Sequence, residues 1–299
     1  MLDGLAVEGA TRMSLALGGT LGLIAIAERR HWKEMTRRVL FVRWRTWAIT
    51  APIFGLAVMG GRWAAVAFVE ALTIVGLREY ARIVSLPKRY RYAMYAAGIA
   101  SAPIAATSLT IWRAMPPILL VAATIPPLLS QDVKDGVRHL AYAALGFAYI
   151  PWLLAYFILI QQHVDGGAAI LLALGASVAA SDVCAFTAGK LCGRHRLAPR
   201  LSPNKTWEGV AGNVAGAYLG FLLMSFAVPA ALSPVVRWTL PLAVALASVW
   251  GDLLESLIKR QFGVKEAGTW LPGFGGLLDR IDSLLVVLPV TYTVLVIWG

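Results

Sequence analysis

The chain has 299 residues, of which 59% are hydrophobic and only 14% are charged. Soluble domains carry charge on about a quarter of their residues, so this composition excludes an ordinary soluble domain and indicates an integral membrane protein. The formal net charge of +11 does not indicate nucleic acid as a partner, because the sequence contains no basic and aromatic soluble module that would bind it.

Apolar runs that cross or nearly cross a bilayer recur along the whole chain. We therefore predict an all-α, polytopic integral membrane protein with about ten transmembrane helices, within a range of eight to ten. The range reflects several runs shorter than the ~20 residues that a straight span needs. The predicted spans are residues 13–27, 46–61, 63–77, 92–112, 114–131, 140–162, 166–189, 210–232, 238–255 and 284–299.

Basic residues divide unevenly between the two sides of this predicted topology. With ten crossings, all but four of the 27 Lys and Arg fall on one side, and the exceptions are Arg12, Arg62, Arg113 and Arg237. The positive-inside rule makes that side cytoplasmic and places both termini outside. The same positive charge attracts anionic membrane lipids. The compact length leads us to expect a bacterial plasma membrane. The basic loops are residues 29–45, 78–91, 132–139, 190–209 and 256–283.

The two halves of the chain differ in character but form one predicted integral domain. Residues 1–165 are predicted to be N-terminal scaffold helices, in which Glu70 either lines a polar cavity or is held neutral or paired. Residues 166–299 are predicted to be the catalytic region. Its cytoplasmic loops, 190–209 and 256–283, hold most of the reactive side chains.

Basic and hydroxyl side chains crowd the first of these loops, GKLCGRHRLAPRLSPNKTWEG. Lysine acts as a point charge toward phosphate and arginine as a bidentate fork, and N–H groups at the start of the next helix add anion affinity. An ordinary positive-inside loop with a Ser or Thr N-cap explains the arginines as well. For Lys205, Thr206 and Glu208 together we favour phosphate binding, and we give His195 no role.

The second charged cluster follows a helical spacing. Asp252, Glu255, Ser256 and Lys259 fall on one face of a helix. Two acids and a base on one stripe form either a structural ion-pair network or a site for a divalent cation beside a phosphate. The spacing alone does not choose between these alternatives.

The third cluster is a glycine-rich segment that runs into Asp279 and Asp282. Three residues apart, these acids project from one face of the helix that follows. Carboxylates together with phosphate oxygens are the usual environment of Mg²⁺, whereas a surface ion pair beside a flexible loop is the alternative. Walker A and zinc patterns are absent. The three clusters together predict Mg²⁺-assisted chemistry on phosphates at the cytoplasmic face.

Two sequence blocks resemble the phosphatidate cytidylyltransferases, or CDP-diacylglycerol synthases. The segment SLIKRQFGVKEAGTWLPGFGGLLDRIDSL is similar to the signature of that family, and LAPRLSPNKTWEG is similar to its Ser-Pro-x-Lys-Thr-x-Glu-Gly block. Ser181-Asp182 and Gly251-Asp252 fit its Asn-Asp and Gly-Asp positions. The resemblance covers residues 181–283.

The resemblance implies an all-helical, homodimeric membrane enzyme. It implies a reaction of CTP with phosphatidate that gives CDP-diacylglycerol and pyrophosphate, with Mg²⁺ as cofactor and a second, monovalent cation left open. Carried over by position, the metal ligands are Asp252, Asp279 and Asp282. The catalytic residues are Asp252, Asp279, Lys259, Arg260 and Asp182. The substrate-binding residues are Ser202, Lys205, Thr206, Glu208, Lys265 and Arg280.

Three positions depart from the family pattern: Phe274 replaces a His, Glu266 an Asp and Ser181 an Asn. Phe274 offers neither proton transfer nor hydrogen bonding, and loss of a proton-transferring His costs about tenfold to a thousandfold in rate. Three alternatives therefore stay open. They are a paralogue acting on another lipid phosphate, a CTP-dependent polyprenol kinase, and a non-catalytic membrane protein that binds a lipid phosphate.

Overall fold

A computed structural model describes residues 39–229, 232–268 and 275–298, with side chains described from residue 49. Most of these residues are helical, and the sheet found among them is a single two-stranded hairpin. The helices are α1 (Val39–Met59), α2 (Arg62–Ile83), α3 (Lys88–Thr107), α4 (Leu109–Ala122), α5 (Ile125–Ser130), α6 (Gly136–Phe147), α7 (Leu153–His163), α8 (Gly167–Cys192), α9 (Trp207–Leu223), α10 (Pro234–Gln261) and α11 (Leu278–Trp298). A π-helical turn, Ala148–Trp152, joins α6 to α7.

Five helical stretches of the described chain are long and apolar enough to cross a membrane. The prediction of a helical, polytopic membrane protein is confirmed at this level. The number of ten spans is not shown, and the run 13–27 lies outside the described residues. The five stretches are Leu109–Ser130, Gly136–His163, Gly167–Cys192, Pro234–Gln261 and Leu278–Trp298.

The hairpin corrects the all-α expectation within the loop 190–209. Strand β1 (Arg196–Ala198) pairs antiparallel with β2 (Ser202–Thr206), and Arg196 lies opposite Thr206. Both strands are too short to show an alternating pattern, so the sequence reads as a basic loop. Strand β2 ends at Thr206, and α9 begins at the next residue, Trp207.

One predicted helix boundary is wrong. The sequence places a break at Arg113, but α3 ends at Thr107 and α4 begins at Leu109. The hydroxyl of Ser108 accepts a hydrogen bond from the Ile111 N–H at 3.3 Å, which makes Ser108 the N-cap of α4. Arg113 consequently lies inside α4, because the cap rather than the charge fixes where that helix starts.

The basic loops meet at one end of the helices. The Arg260 guanidinium in the last turn of α10 donates to the Leu201 carbonyl oxygen of the hairpin at 3.3 Å. The Leu277 N–H donates to the Glu79 carboxylate near the end of α2 at 3.0 Å. Loops that are far apart in sequence therefore share one end of the bundle, which we call the basic end.

The connections without basic clusters meet at the opposite end. The Gln161 side-chain amide of α7 donates to the Val58 carbonyl oxygen near the end of α1 at 2.8 Å. The Ser233 hydroxyl before α10 donates to the Trp298 carbonyl oxygen at the end of α11 at 3.0 Å. Successive connections thus alternate between the two ends of the bundle.

Small residues let the helices of the second half approach closely. Gly212, Gly216 and Gly220 follow one another every fourth residue on α9, and a Cβ at Gly216 would lie 2.5 Å from the Ala180 carbonyl oxygen of α8. Such spacing packs membrane helices backbone to backbone. Gly251 acts likewise between α10 and α11, since a Cβ there would lie 2.4 Å from a carbonyl oxygen of α11.

Candidate active site

The close approach of α10 and α11 brings two carboxyl groups together at the basic end. Asp252, next to Gly251, lies close enough to the carboxyl group of Asp282, which is 9% exposed, for the two charges to interact. Asp252 Oδ1 also accepts from the Ser283 hydroxyl at 2.9 Å, and Asp282 Oδ1 accepts from the Ser283 N–H at 2.8 Å. Two carboxylates this close repel each other, so a positive charge beside them stabilises the pair.

Lys205 of β2 supplies a positive charge to this pair. Its ammonium group forms an ion pair with Asp252 Oδ2. The next residue, Thr206, points the other way and is 4% exposed, and its hydroxyl accepts from the Gly209 N–H at 3.1 Å. Thr206 is therefore the N-cap of α9. The hairpin register, with Lys205 toward α10 and Thr206 toward α9, places the ammonium at the carboxyl pair.

A second charge cluster surrounds Lys259. Its ammonium donates to Glu255 Oε2 and to Asp279 Oδ1, each at 2.6 Å. Glu255 is 2% exposed, and its other oxygen has no hydrogen-bond partner in the described part of the chain. Glu255 and Lys259, which the helical spacing places on one face, thus form an ion pair.

Asp279 closes the glycine-rich segment onto the start of α11. Its Oδ2 accepts from the Gly276 N–H at 2.7 Å and from the Ala267 N–H at 3.0 Å. The Asp279 oxygens are thus hydrogen-bonded to the Lys259 ammonium and to backbone N–H groups. Asp279 is therefore not part of the Asp252 and Asp282 pair. Within the described ranges, no group of three or more His, Cys, Asp and Glu side chains is gathered in a way that would hold a metal ion. The Asp252 and Asp282 oxygens do suit a hard cation such as Mg²⁺, whereas Asp279 would have to exchange its partners to join them.

Glu208 is engaged by its neighbours on the hairpin. The His195 ring nitrogen Nδ1 lies 2.7 Å from Glu208 Oε1, and the His195 N–H donates to the same carboxylate at 3.3 Å. A hydrogen bond from its own backbone N–H, followed by the one from the His195 ring, lowers the pKa of Glu208 from the ordinary 4.5 to about 2. Glu208 therefore stays ionised at neutral pH and joins the hairpin to α9.

The other predicted site residues lie at the same end of the bundle. Asp182, just past the middle of α8, interacts electrostatically with Asp252, Lys205 and Arg280. The Arg260 guanidinium is exposed and donates to backbone carbonyl oxygens. Ser202 is half-buried on β2, Lys265 is exposed, and Phe274 lies outside the described residues. The structure thus gathers Asp182, Lys205, Asp252, Asp282 and Arg280 together, with the Lys259 cluster beside them on the same two helices.

Sequence reasoning missed Tyr149 on the π-helical turn. Its side chain is 2% exposed, and its hydroxyl has no hydrogen-bond partner among the described residues. It interacts electrostatically with Asp282, Glu255 and Asp252. A tyrosine within an apolar run gives no sequence signal, although π-turns occur frequently at functional sites.

Glu79 was also missed. It is 4% exposed, and its two carboxylate oxygens accept from the Leu277 and Leu278 N–H groups at 3.0 and 2.8 Å. In the sequence it stands between basic residues at the edge of loop 78–91 and looks like ordinary surface charge. Its partners are 198 and 199 residues away, so no local pattern reveals them.

The fold and site together define a helical membrane protein with buried acid and lysine groups at its basic end. Residues 41–298 match the cytidylyltransferase family, and the chain belongs to that family. The resemblance found in the two motif blocks is thereby confirmed, and the protein is a nucleotidyltransferase by class.

Relatives of known name match the chain to different extents. The uncharacterized protein YnbB of Escherichia coli is 30% identical over 272 residues, which cover 87% of this chain and 86% of that protein. The phosphatidate cytidylyltransferase of Mycobacterium leprae is 41% identical over 169 residues, covering 56% of this chain and 53% of that protein. The phosphatidate cytidylyltransferase of Thermotoga maritima is 38% identical over 183 residues, covering 59% and 67%.

Proposed function

We propose that this chain transfers the cytidylyl group of CTP to phosphatidate at the cytoplasmic face of the membrane, giving CDP-diacylglycerol and pyrophosphate. The observation that carries the proposal is the convergence of Lys205, Asp252 and Asp282 in a member of the cytidylyltransferase family. Relatives from Mycobacterium leprae and Thermotoga maritima that bear the name phosphatidate cytidylyltransferase support the choice of lipid.

In this reaction an oxygen of the lipid phosphate attacks the α-phosphorus of CTP. The bond from that phosphorus to the oxygen bridging to the β-phosphorus breaks, and pyrophosphate leaves. Positioning and charge stabilisation are most of what a phosphoryl-transfer site supplies. Lys205 and Arg280 are the cations available to phosphate oxygens at the carboxyl pair. Mg²⁺ held by Asp252 and Asp282, and by Asp279 after it exchanges Lys259, would neutralise charge on the leaving pyrophosphate.

The ion pair between Lys205 and Asp252 would stabilise the site when no nucleotide is bound. Isolated ions near bilayer depth are costly, and Lys205 with Asp252 forms an ion pair that avoids this cost. A nucleotide phosphate that takes over Lys205 leaves Asp252 free for a cation. We therefore expect CTP and Mg²⁺ each to bind more tightly when the other is present, by the reciprocity of coupled binding.

We further propose ten membrane spans, formed by α1, α2, α3 and α9, the run 13–27 and the five long apolar stretches. The alternation of connections between the two ends supports this count. The positive-inside rule then places the basic end in the cytoplasm and both termini outside. The same proposal includes a location in a bacterial plasma membrane, a single integral domain made of residues 1–165 and 166–299, and assembly into a homodimer.

The test is pyrophosphate release from CTP by the purified protein in detergent, with phosphatidate and Mg²⁺. Asp252→Asn should lower the rate by about 10²-fold or more, because it removes charge at the reacting phosphates. Asp165→Asn is the matched control, since Asp165 is exposed at the other end of the bundle, and its rate should equal that of the wild type. Absence of release from folded wild-type protein, or equal rates for the two variants, refutes the proposal, and release of CDP indicates a kinase.

A second candidate is the same transfer to a different lipid phosphate. Its support is Phe274, which stands where the resemblance places a histidine. Parallel assays with phosphatidate and a prenyl phosphate, for the wild type and Phe274→His, decide between the candidates. Release only with the prenyl phosphate favours the second.

A further inference from the structure

The start of α11 depends on a carboxylate from the other half of the chain. The first N–H groups of a helix have no partner within the helix, so when they are buried they need acceptors from elsewhere in the protein. Glu79 accepts from the Leu277 and Leu278 N–H groups at 3.0 and 2.8 Å. Asp279 accepts from the Gly276 N–H at 2.7 Å. Two carboxylates thus share the N–H groups at the beginning of the helix that carries Asp279 and Asp282.

Two glycines close around the Glu79 carboxylate. A Cβ at Gly268 would lie 2.6 Å from Glu79 Oε1, and one at Gly276 would lie 2.7 Å from Glu79 Oε2. Real Cβ atoms do not come this close to an oxygen, so both positions require glycine while Glu79 keeps its place. The carboxylate therefore lies in close contact with Gly268 and Gly276, in addition to the helix start.

We propose that Glu79 is a positioning residue for nucleotidyl transfer. By holding the start of α11, it sets where Asp282 stands against Asp252 and where Asp279 stands against Lys259. The inference rests on the proposed function for its effect on rate, but its effect on the helix start does not. The charge of Glu79 also lies where a helix terminus favours an anion, so replacement by glutamine loses this charge and one of the two acceptor oxygens.

The test compares Glu79→Gln with Glu70→Gln, which makes the same change on the same helix. Neither carboxylate oxygen of Glu70 has a hydrogen-bond partner in the structure as described. Groups that orient metal ligands typically contribute ~10–100-fold to activity or metal affinity. We expect Glu79→Gln to lower kcat by that factor and to raise the Mg²⁺ concentration needed for half-maximal rate. Glu70→Gln should match the wild type in both.

A second readout does not depend on activity. Hydrogen–deuterium exchange of the peptide covering residues 275–285 should become about tenfold faster or more in Glu79→Gln, because one of the two N–H groups then faces an NH2 donor and the other keeps only a neutral amide oxygen. It should be unchanged in Glu70→Gln. If the wild type releases no pyrophosphate, the proposed function fails, while the exchange result still tests the contact on which the positioning role depends.

The outcomes separate positioning from a general role in folding. A Glu79→Gln protein with wild-type kcat and Mg²⁺ dependence, altered only in yield or thermal stability, overturns the proposal, as does unchanged exchange at residues 275–285. If that variant does not fold, Glu79→Asp, which keeps the charge on a shorter arm, replaces it and should show a smaller loss in the same direction. If neither variant folds, Glu79 is required for folding and the positioning role is rejected.

Discussion

Lys259 offers the sharpest test of the charge network, because it compensates two carboxylates at once. Its side chain is 11% exposed, and those of Glu255 and Asp279 are 2% and 8% exposed. Replacing it with methionine keeps the volume of the aliphatic stem, so little of the effect comes from a cavity. The substitution then leaves the Glu255 and Asp279 carboxylates without the ammonium group that compensates their charge. Removing one partner of a buried ion pair costs about 3–5 kcal/mol, which is our expectation for Lys259→Met.

The assay is reversible unfolding in mixed detergent micelles, followed by the fluorescence of the 11 tryptophans. Lys265→Met is the matched control, because Lys265 is exposed, and its free energy of unfolding should stay within about 0.5 kcal/mol of the wild type. Adding Glu255→Gln to Lys259→Met removes one of the two acids and should recover part of the loss. A loss below about 1 kcal/mol for Lys259→Met, or one equal to that of the control, would refute the reasoning.

Two further predictions concern packing and pH. Gly216→Ala should lower the free energy of unfolding by about 1–3 kcal/mol, because its Cβ meets the Ala180 carbonyl oxygen, whereas Gly55→Ala, with open space around it, should not lower it. Equal effects would contradict the close packing of α8 and α9. Glu208→Gln should be less stable than the wild type by an amount that is full above pH 4.5 and vanishes as the pH falls through about 2, since the folded protein lowers this pKa. Thermal unfolding across this pH range measures the difference, and one that vanishes between pH 5 and 8 instead would contradict the assignment.

Local spacing predicted part of the candidate site. Glu255 and Lys259 are four residues apart, so one helix face brings them together, and they form an ion pair at 2.6 Å. The four-residue spacing of Gly212, Gly216 and Gly220 likewise puts three glycines on the face of α9 that packs closely against α8. Patterns with a helical period carry this information because backbone geometry alone converts spacing into proximity.

Contacts between distant segments were not predictable in the same way. Lys205 and Asp252 are 47 residues apart, and the hairpin register that aims Lys205 at α10 rests on strands of three and five residues. The resemblance assigned both residues to one site without indicating that they pair with each other. For that reason the sequence describes a set of phosphate-binding and metal-binding side chains, whereas the structure shows acids and bases that neutralise one another.

Glu79 shows why the two motif blocks do not by themselves make the site. The helix that carries Asp279 and Asp282 begins at the basic end of the bundle, and its first N–H groups need acceptors. The block itself supplies one acceptor, Asp279, which must also hold Lys259. The remaining N–H groups are met by a carboxylate from α2, which belongs to the half of the chain that looks like apolar scaffold. That half therefore helps to shape the site, and a change at Glu79 should act on chemistry that takes place among residues nearly two hundred positions away.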